Sequence, residues 1–455
     1  MSRDTEEFCV PELASIGLDL KCSTLNRGVL ILGASGTGKS RSAILPILAA
    51  VRQQWERSEK GKRDCMLVID PKRELIKSMD DHVLILGQEG SIPIRFYDDS
   101  IDRSDAGVLL DEALALSPGA TPFARDPFWR SSARSLLRAC LLLDTTVHAE
   151  ATCEEEARLQ QQLLWRALAK VFDSRAGGKT GATESLLQND RPWSRYMALC
   201  RLLQRTSNDT SELLPQQLAQ VIKLHVPTYN PADLLSVHSL APETGTSVVG
   251  TVASVLGPLT DSRVQDSIDF DPSPWPSARY RLSMDEAIRD GLLMAYQPRE
   301  ISDENAMIGR AIKRAYLRAI IRGAACDAHG VPQRRAFYIA DEFQRFIGGE
   351  EMYFDVMRSA SGHAIVASQS QAALVQALGP GKELEAQAIM ENLSTRVQFM
   401  SPDPHTTNAW LTLISRPPVV EYPHVLTVRP ISMLKTGQAY WFSEGRFGYG
   451  QVRLQ

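Results

Sequence analysis

Near its amino terminus the chain reads Gly33-Ala34-Ser35-Gly36-Thr37-Gly38-Lys39-Ser40. The apolar run 28–32 before this stretch predicts a buried strand, and residues 41–50 after it predict the start of a helix. A glycine-rich loop between a strand and a helix turns backbone N–H groups toward phosphate oxygens, and the helix N-terminus adds partial positive charge. In such a loop the lysine reaches the terminal phosphates and the next hydroxyl binds Mg²⁺. Residues 33–40 therefore predict a nucleoside triphosphate site; the simpler alternative is a glycine-rich turn with a chance Lys-Ser.

A second apolar run, 336–340, ends on the acidic pair Asp341 and Glu342. A buried strand that delivers an aspartate beside a phosphate loop meets the needs of Mg²⁺, which the carboxylate usually holds through a water. The adjacent glutamate is then placed to act as general base on the attacking water. Strands often end on acidic turns, so the pair is informative mainly together with the upstream loop. The two segments together predict ATP and Mg²⁺ as ligands, with Ser40 and Asp341 at the metal.

The order of apolar runs predicts an α/β fold. Short buried runs at 28–32, 65–70, 336–340 and 364–369 alternate with helical segments, which favours a mostly parallel central sheet covered on both faces. From residue 126 to about residue 225 the apolar residues instead recur at helical spacing, as in the stripe Leu159, Leu163, Leu164, Ala167 and Val171. We therefore expect a leader over 1–27, a nucleotide-binding domain over 28–125 and 244–455, and an all-α inserted domain over 126–243.

Composition places the chain among ordinary globular proteins. It holds 50 basic and 54 acidic residues, a net charge of −4, so contact with nucleic acid needs a local basic surface or a ring of subunits. The seven cysteines form no C-x-x-C pair, which predicts no zinc site. No stretch reaches about 18 apolar residues. We expect a cytoplasmic chain that does not itself enter a membrane.

Three further residues are candidates for the chemistry of hydrolysis. Gln369 ends the apolar run 364–369, where an amide can sense the terminal phosphate or position the water; an ordinary strand-terminal glutamine is the alternative. Arg358 and Arg396 flank this segment, and either could reach a phosphate of the same subunit or of a neighbouring one. Each arginine taken alone is also compatible with a surface or packing role.

Taken jointly, several segments resemble the type IV coupling proteins of the TraG/TraD kind, which are relatives of the HerA/FtsK motor ATPases. The similarity spans residue 28 to the C-terminus, with Arg73 standing where the family pattern has glycine. The segments that carry it, beyond the loop at 36–40, are Ile44-Leu45-Pro46, Asp70-Pro71-Lys72-Arg73-Glu74-Leu75, Asp126-Pro127-Phe128-Trp129, Asp341-Glu342-Phe343, Gln369-Ser370, and Asn392 with Arg396.

This resemblance implies a RecA-like motor ATPase with a helical insertion, assembled as a homo-oligomeric ring, expected to be a hexamer. Such rings use ATP to recruit and move DNA, or relaxase and effector proteins, toward a type IV secretion apparatus. Carried over by position, Lys39 and Ser40 hold phosphate and Mg²⁺, Asp341 supports the metal and Glu342 activates water. Gln369 couples nucleotide state to movement, and Arg358 and Arg396 are candidates for charge donated across a subunit boundary.

The chain departs from the family at its start, because many members begin with two membrane-spanning helices. We expect either a separate membrane protein that holds the chain at the inner membrane or a motor put to another use. Two alternatives to DNA translocation therefore stay open. One is a substrate-receptor ring in which ATP binding mainly drives assembly, and the other is a soluble HerA/FtsK-like DNA pump serving repair, packaging or defence.

Overall fold

The structure is a computed structural model that describes residues 10–79, 82–86, 94–95, 127–175, 182–188, 192–207, 213–236, 240–259, 268–269, 282–298, 303–348, 350–414 and 430–452. Backbone contacts divide the chain into two compact units. The first joins Met1–Gln88 to Met284–Gln455, and the second is Glu89–Ser283. The predicted domain boundaries at residues 126 and 243 fall inside the second unit and stay a prediction.

A mixed, mostly parallel sheet organises the first unit. Its strands are β1 (Val29–Leu32), β2 (Cys65–Ile69), β3 (Leu84–Leu86), β6 (Leu293–Tyr296), β7 (Ala336–Ala340), β8 (Gly362–Ser368), β9 (Thr395–Gln398), β10 (Gln438–Ser443) and β11 (Arg446–Gln451). They lie in the order β11-β10-β9-β1-β8-β7-β2-β6-β3. Pairing is parallel from β9 through to β3, whereas β10 runs antiparallel to both β9 and β11.

The central strands are buried along their whole length. Every residue of β1, β2, β7 and β8 is buried, as expected of a sheet with both faces covered. The predicted strands at 28–32, 65–70, 336–340 and 364–369 are thereby confirmed. Parallel register places Leu32 opposite both Ser368 and Gln398, and Ala340 opposite both Val366 and Ile69. The residues that follow these strands therefore meet at one edge of the sheet.

Helices cover the sheet of the first unit. With helices numbered along the chain, they are α1 (Pro11–Ala14), α2 (Cys22–Asn26), α3 (Leu45–Arg57), α11 (Met284–Arg289), α12 (Asp303–Ile321), α13 (Phe354–Ser359), α14 (Gln371–Leu378), α15 (Glu383–Asn392) and α16 (Pro404–Ile414). One apolar core joins side chains of α3, such as Ile47 and Val51, to Ile31 of β1, Phe337 of β7 and Ile365 of β8. This packing fixes the sheet edge that carries the predicted site.

The second unit is mainly helical in its described residues. Its elements are α4 (Pro127–Glu150), α5 (Glu154–Arg175), α6 (Ala182–Leu187), α7 (Pro192–Ser207), α8 (Leu213–His225), α9 (Ala232–Leu235) and α10 (Pro242–Leu259), with a two-stranded pair β4 (Ile94–Arg95) and β5 (Ile268–Asp269). Among the helices that the structure describes, none combines the length and apolar content needed to cross a bilayer.

The predicted apolar stripe on α5 is partly wrong. Leu164 is buried as expected, but Leu159 and Leu163 are 57% and 42% exposed. The buried face instead continues through Trp165, Leu168 and Phe172. The face that packs inward is the one that carries Trp165 and Phe172, because aromatic side chains bury the most apolar area.

Candidate nucleotide-binding site

The loop at 33–40 has the backbone shape that phosphate binding needs. Gly36 and Gly38 adopt φ values of +76° and +102°, which L side chains rarely adopt. A Cβ at Gly38 would also come within 3.3 Å of the backbone nitrogen of Gly437. Ser35 and Gly36 are exposed at the tip of the loop, whereas Thr37 is buried. The loop is therefore open at its tip and closely packed at its base.

Lys39 turns back over this loop. Its Nζ donates to the carbonyl oxygens of Gly33, at 2.5 Å, and Ala34, at 3.0 Å, and the residue is only 5% exposed. Burial lowers the pKa of Lys39, an effect opposed by the carboxylates of Asp341 and Glu342. The ammonium thus lies inside the cradle that the loop forms, where phosphate oxygens would replace the two carbonyls as acceptors.

The helix after the loop begins irregularly. Residues Ser40–Ile44 form a π-helical turn, and regular α-helix starts only at Leu45. Pro46 has no N–H to donate to an earlier carbonyl, so a regular turn could not continue through it without a missing hydrogen bond. The proline seen in the sequence therefore lies where the π turn gives way to α3.

Ser40 and Asp341 meet although 301 positions separate them. The Ser40 Oγ donates to Oδ2 of Asp341 at 2.8 Å, and Asp341 is fully buried at the end of β7. A hydroxyl and a carboxylate oxygen are ligands that Mg²⁺ prefers. Among the described residues, no cluster of three or more His, Cys, Asp or Glu side chains could hold a metal alone. Phosphate oxygens and waters would complete the shell, which suits Mg²⁺.

Glu342 lies next to this pair, and three side chains contact its carboxylate. Its Oε1 pairs with the ammonium of Lys72, and its Oε2 accepts from Nε2 of Gln369 at 2.9 Å and Nε2 of Gln344 at 2.5 Å. The side chain is 2% exposed, and its backbone adopts φ of +49°. Burial would raise the pKa of Glu342, but the bonds from Lys72, Gln369 and Gln344 outweigh it and lower the pKa. The carboxylate is therefore ionised at neutral pH.

Lys72 was not predicted as a site residue. It lies in the turn after β2, where Asp70 accepts the backbone N–H groups of Glu74, Leu75 and Ile76 at 3.2, 2.8 and 3.0 Å. The sequence supplied one signal, the lysine that follows Asp70-Pro71 at a strand end. Its relevance depends on β2 lying next to β7, which no local pattern reveals.

Gln369 contacts Glu342, whereas the two arginines lie elsewhere on their elements. Arg396 lies two residues from the end of β9, and its Nη2 donates to the carbonyl of Met390 at 3.3 Å. Arg358 is exposed on α13, which precedes the N-terminal end of β8. The candidate site lies at the C-terminal end of that strand. That strand spans about 20 Å at roughly 3.3 Å per residue. A role for either arginine at a phosphate, in its own chain or across a subunit boundary, stays a prediction.

One contact with the loop had no signal in the sequence. The N–H of Gly437, in the turn before β10, donates to the carbonyl oxygen of Thr37 at 3.0 Å. Gly437 itself has φ of +79°. The C-terminal strands thus support the base of the phosphate loop from the side opposite β8 in the sheet order.

The conjugative coupling protein TrwB is among the solved structures similar to this chain. No protein-family model matches the chain, and no curated protein matches it. The unbound coupling protein TrwB is 16% identical, covers 96% of this chain and 87% of its own, and gives a TM-score of 0.57. TrwB with ADP and Mg²⁺ (17%, 96% and 88%, 0.55) and TrwB with the non-hydrolysable ATP analogue ADPNP (17%, 96% and 88%, 0.53) align similarly. The chain therefore has an α/β, RecA-like phosphate-loop fold, and it shares that fold with the conjugative coupling protein TrwB.

Proposed function

We propose that this chain is an ATP-hydrolysing motor of the coupling-protein type, which uses ATP to recruit and move DNA or a DNA-linked protein. The observation that carries the proposal is the hydrogen bond of 2.8 Å between Ser40 and Asp341. This bond joins the phosphate loop to Asp341, the residue that follows β7, and Glu342 is the next residue along the chain. A loop for phosphate, two oxygen ligands for Mg²⁺ and an adjacent carboxylate are the parts that triphosphate hydrolysis requires.

The residues have separate tasks in this proposal. Lys39 and the backbone N–H groups of residues 36–40 bind the phosphates, and Ser40 with Asp341 binds the metal. When bound, Mg²⁺ would neutralise charge on the phosphates. Glu342 takes a proton from the attacking water, which makes hydrolysis the expected reaction. Gln369 bonds to Glu342 and lies at the end of β8, so it can relay a change at the carboxylate to the sheet.

The cargo is proposed from the fold. TrwB is described as a plasmid coupling protein, and the shared fold supports a related task for this chain. We propose assembly as a ring of subunits, because a chain with a net charge of −4 needs a local basic surface repeated by symmetry to hold DNA. DNA, relaxase or effector proteins and a secretion apparatus are the proposed partners.

ATP turnover of the full chain with and without DNA tests this function. We expect DNA to stimulate hydrolysis, Lys39→Ala to abolish it, and Glu342→Gln to bind ATP while turning over at least about 100-fold more slowly, as for loss of a general base. Lys77→Ala is the matched control, since Lys77 is an exposed lysine of the same unit.

Two outcomes would contradict the proposal. Normal turnover by Lys39→Ala would exclude the site described above. Turnover that neither single-stranded nor double-stranded DNA alters would exclude the DNA motor and favour the substrate-receptor ring.

A further inference from the structure

Two lysines and two carboxylates lie together at the candidate site. Lys39 contacts backbone carbonyls of its own loop, and Lys72 pairs with Glu342. Burial by itself lowers the pKa of both lysines, and the carboxylates of Asp341 and Glu342 act against it on each of them, so all four groups are electrostatically linked. Their charges sum to zero. A magnesium-bound triphosphate adds net negative charge, which will draw ammonium groups toward it.

Three side chains contact the Glu342 carboxylate in this arrangement. Lys72 occupies one oxygen, Gln344 and Gln369 occupy the other, and the side chain is 2% exposed. A general base must accept a proton from a water within hydrogen-bond reach. Water has almost no access to this carboxylate, and the Lys72 ammonium lies against its Oε1, so the carboxylate is in a resting position. The ammonium has to leave Oε1 before a water can take its place.

Lys72 is the donor best able to leave. Gln344 and Gln369 are neutral, so a phosphate attracts them much less than it attracts an ammonium. The Lys72 side chain is 30% exposed, and a lysine carries its charge on a flexible four-carbon stem. The backbone below it is fixed, because the Asp70 carboxylate accepts three N–H groups of the same turn. The turn can therefore stay in place while the ammonium moves.

We propose that Lys72 reads the terminal phosphate. In the nucleotide-free chain it holds Glu342 at rest, and with a triphosphate bound it moves from Oε1 of Glu342 to that phosphate. The move frees Oε1 to accept from water, so the base is released only when there is a bond to hydrolyse. ADP lacks the group that Lys72 would move to, and the resting pair persists. This inference rests on the proposed function and deepens it, by assigning a positioning residue to the same site.

The test compares affinities for ADP and for a non-hydrolysable ATP analogue, both with Mg²⁺, by isothermal titration calorimetry on the full chain. For Lys72→Gln we expect affinity for the analogue to fall about tenfold, equivalent to about 1.4 kcal/mol, while affinity for ADP changes less than twofold. The glutamine keeps a donor for Glu342 and keeps most of the volume, so it should fold. Lys72→Arg keeps the charge and should recover most of the lost discrimination.

The controls separate this inference from a structural role and from the proposed function. Lys77→Ala, an exposed lysine of the same segment, should leave both affinities unchanged. An equal loss for ADP and analogue in Lys72→Gln, or no loss for either, would overturn the assignment of Lys72. A wild-type chain that binds neither nucleotide would instead overturn the proposed function itself.

Discussion

Arg73 stands at a turn with positive φ where glycine is the usual residue, and the free-energy cost of this choice can be measured. It adopts φ of +58°, a left-handed conformation that costs a residue with a Cβ about 1–2 kcal/mol. Its guanidinium compensates, since Nε and Nη2 both donate to the carbonyl of Pro298, at 3.2 and 2.9 Å. The perturbation is therefore a pair of variants, Arg73→Gly and Arg73→Ala, which both lose the guanidinium but differ in backbone strain.

The expected order of stability follows from three contributions to the free energy of unfolding. Both variants lose the bonds to Pro298, worth about 1.5–3 kcal/mol for a charged donor. Arg73→Gly relieves the backbone strain of about 1–2 kcal/mol but loses about 0.5–1 kcal/mol in backbone entropy. We expect Arg73→Ala to be less stable than wild type by about 2 kcal/mol. Arg73→Gly should lie about 0.8 kcal/mol above Arg73→Ala, between it and wild type.

Native-state hydrogen exchange measures this locally. The amides of Glu74, Leu75 and Ile76 are bonded to Asp70, so a peptide covering them reports opening of this turn. Urea unfolding of the same proteins gives the global value, and Arg57→Ala, at an exposed helix end, serves as a control that should change by less than about 0.5 kcal/mol. An Arg73→Ala variant as stable as Arg73→Gly, or more stable, would refute the reasoning from strain.

Two further predictions concern buried charge and pH. Lys313 and Glu351 form an ion pair with both side chains fully buried, so Lys313→Met should cost about 3–5 kcal/mol in urea unfolding. Lys313→Met/Glu351→Met should be the more stable of the two variants, because it removes the buried carboxylate that would otherwise lose its ammonium; a double variant as unstable as the single one would contradict this. Burial, followed by the charge of Arg335, lowers the pKa of His363 to about 3, so the folded chain keeps this residue neutral while the unfolded chain takes up a proton below about pH 6.5. This residue should therefore remove about 1.4 kcal/mol of stability between pH 7.5 and 5.5, and His363→Phe, which can keep the stack on Phe337, should lose less stability than wild type over that interval; an identical loss would contradict the assignment.

Local sequence signals predicted the elements that carry the site. The loop at 33–40 and the acidic pair at 341–342 each follow a short apolar run, and such runs of four or five buried residues are strands of a covered sheet. Parallel strands carry their following residues to one edge, so the phosphate-loop motif and the acidic pair together predicted the approach of Ser40 to Asp341. The roles of these residues in catalysis stay predictions.

The contacts that the sequence did not predict depend on strand order. Lys72 meets Glu342 because β2 pairs with β7, and Gly437 meets Thr37 because the C-terminal strands continue the sheet beyond β9. Both pairings join segments far apart along the chain, and no periodicity encodes such neighbours. On α5, spacing alone gave the wrong face because leucines lie on more than one side of the helix.

We propose that residues 33–40 and Asp341 share one magnesium-bound triphosphate. The most direct measurement is the affinity for a non-hydrolysable ATP analogue with and without Mg²⁺, in wild type and in Asp341→Asn. We expect Mg²⁺ to strengthen wild-type binding by about tenfold or more and Asp341→Asn to lose most of this gain, since an amide oxygen is a poorer ligand than a carboxylate. An equal gain from Mg²⁺ in both proteins would show that Asp341 has no part in holding the metal.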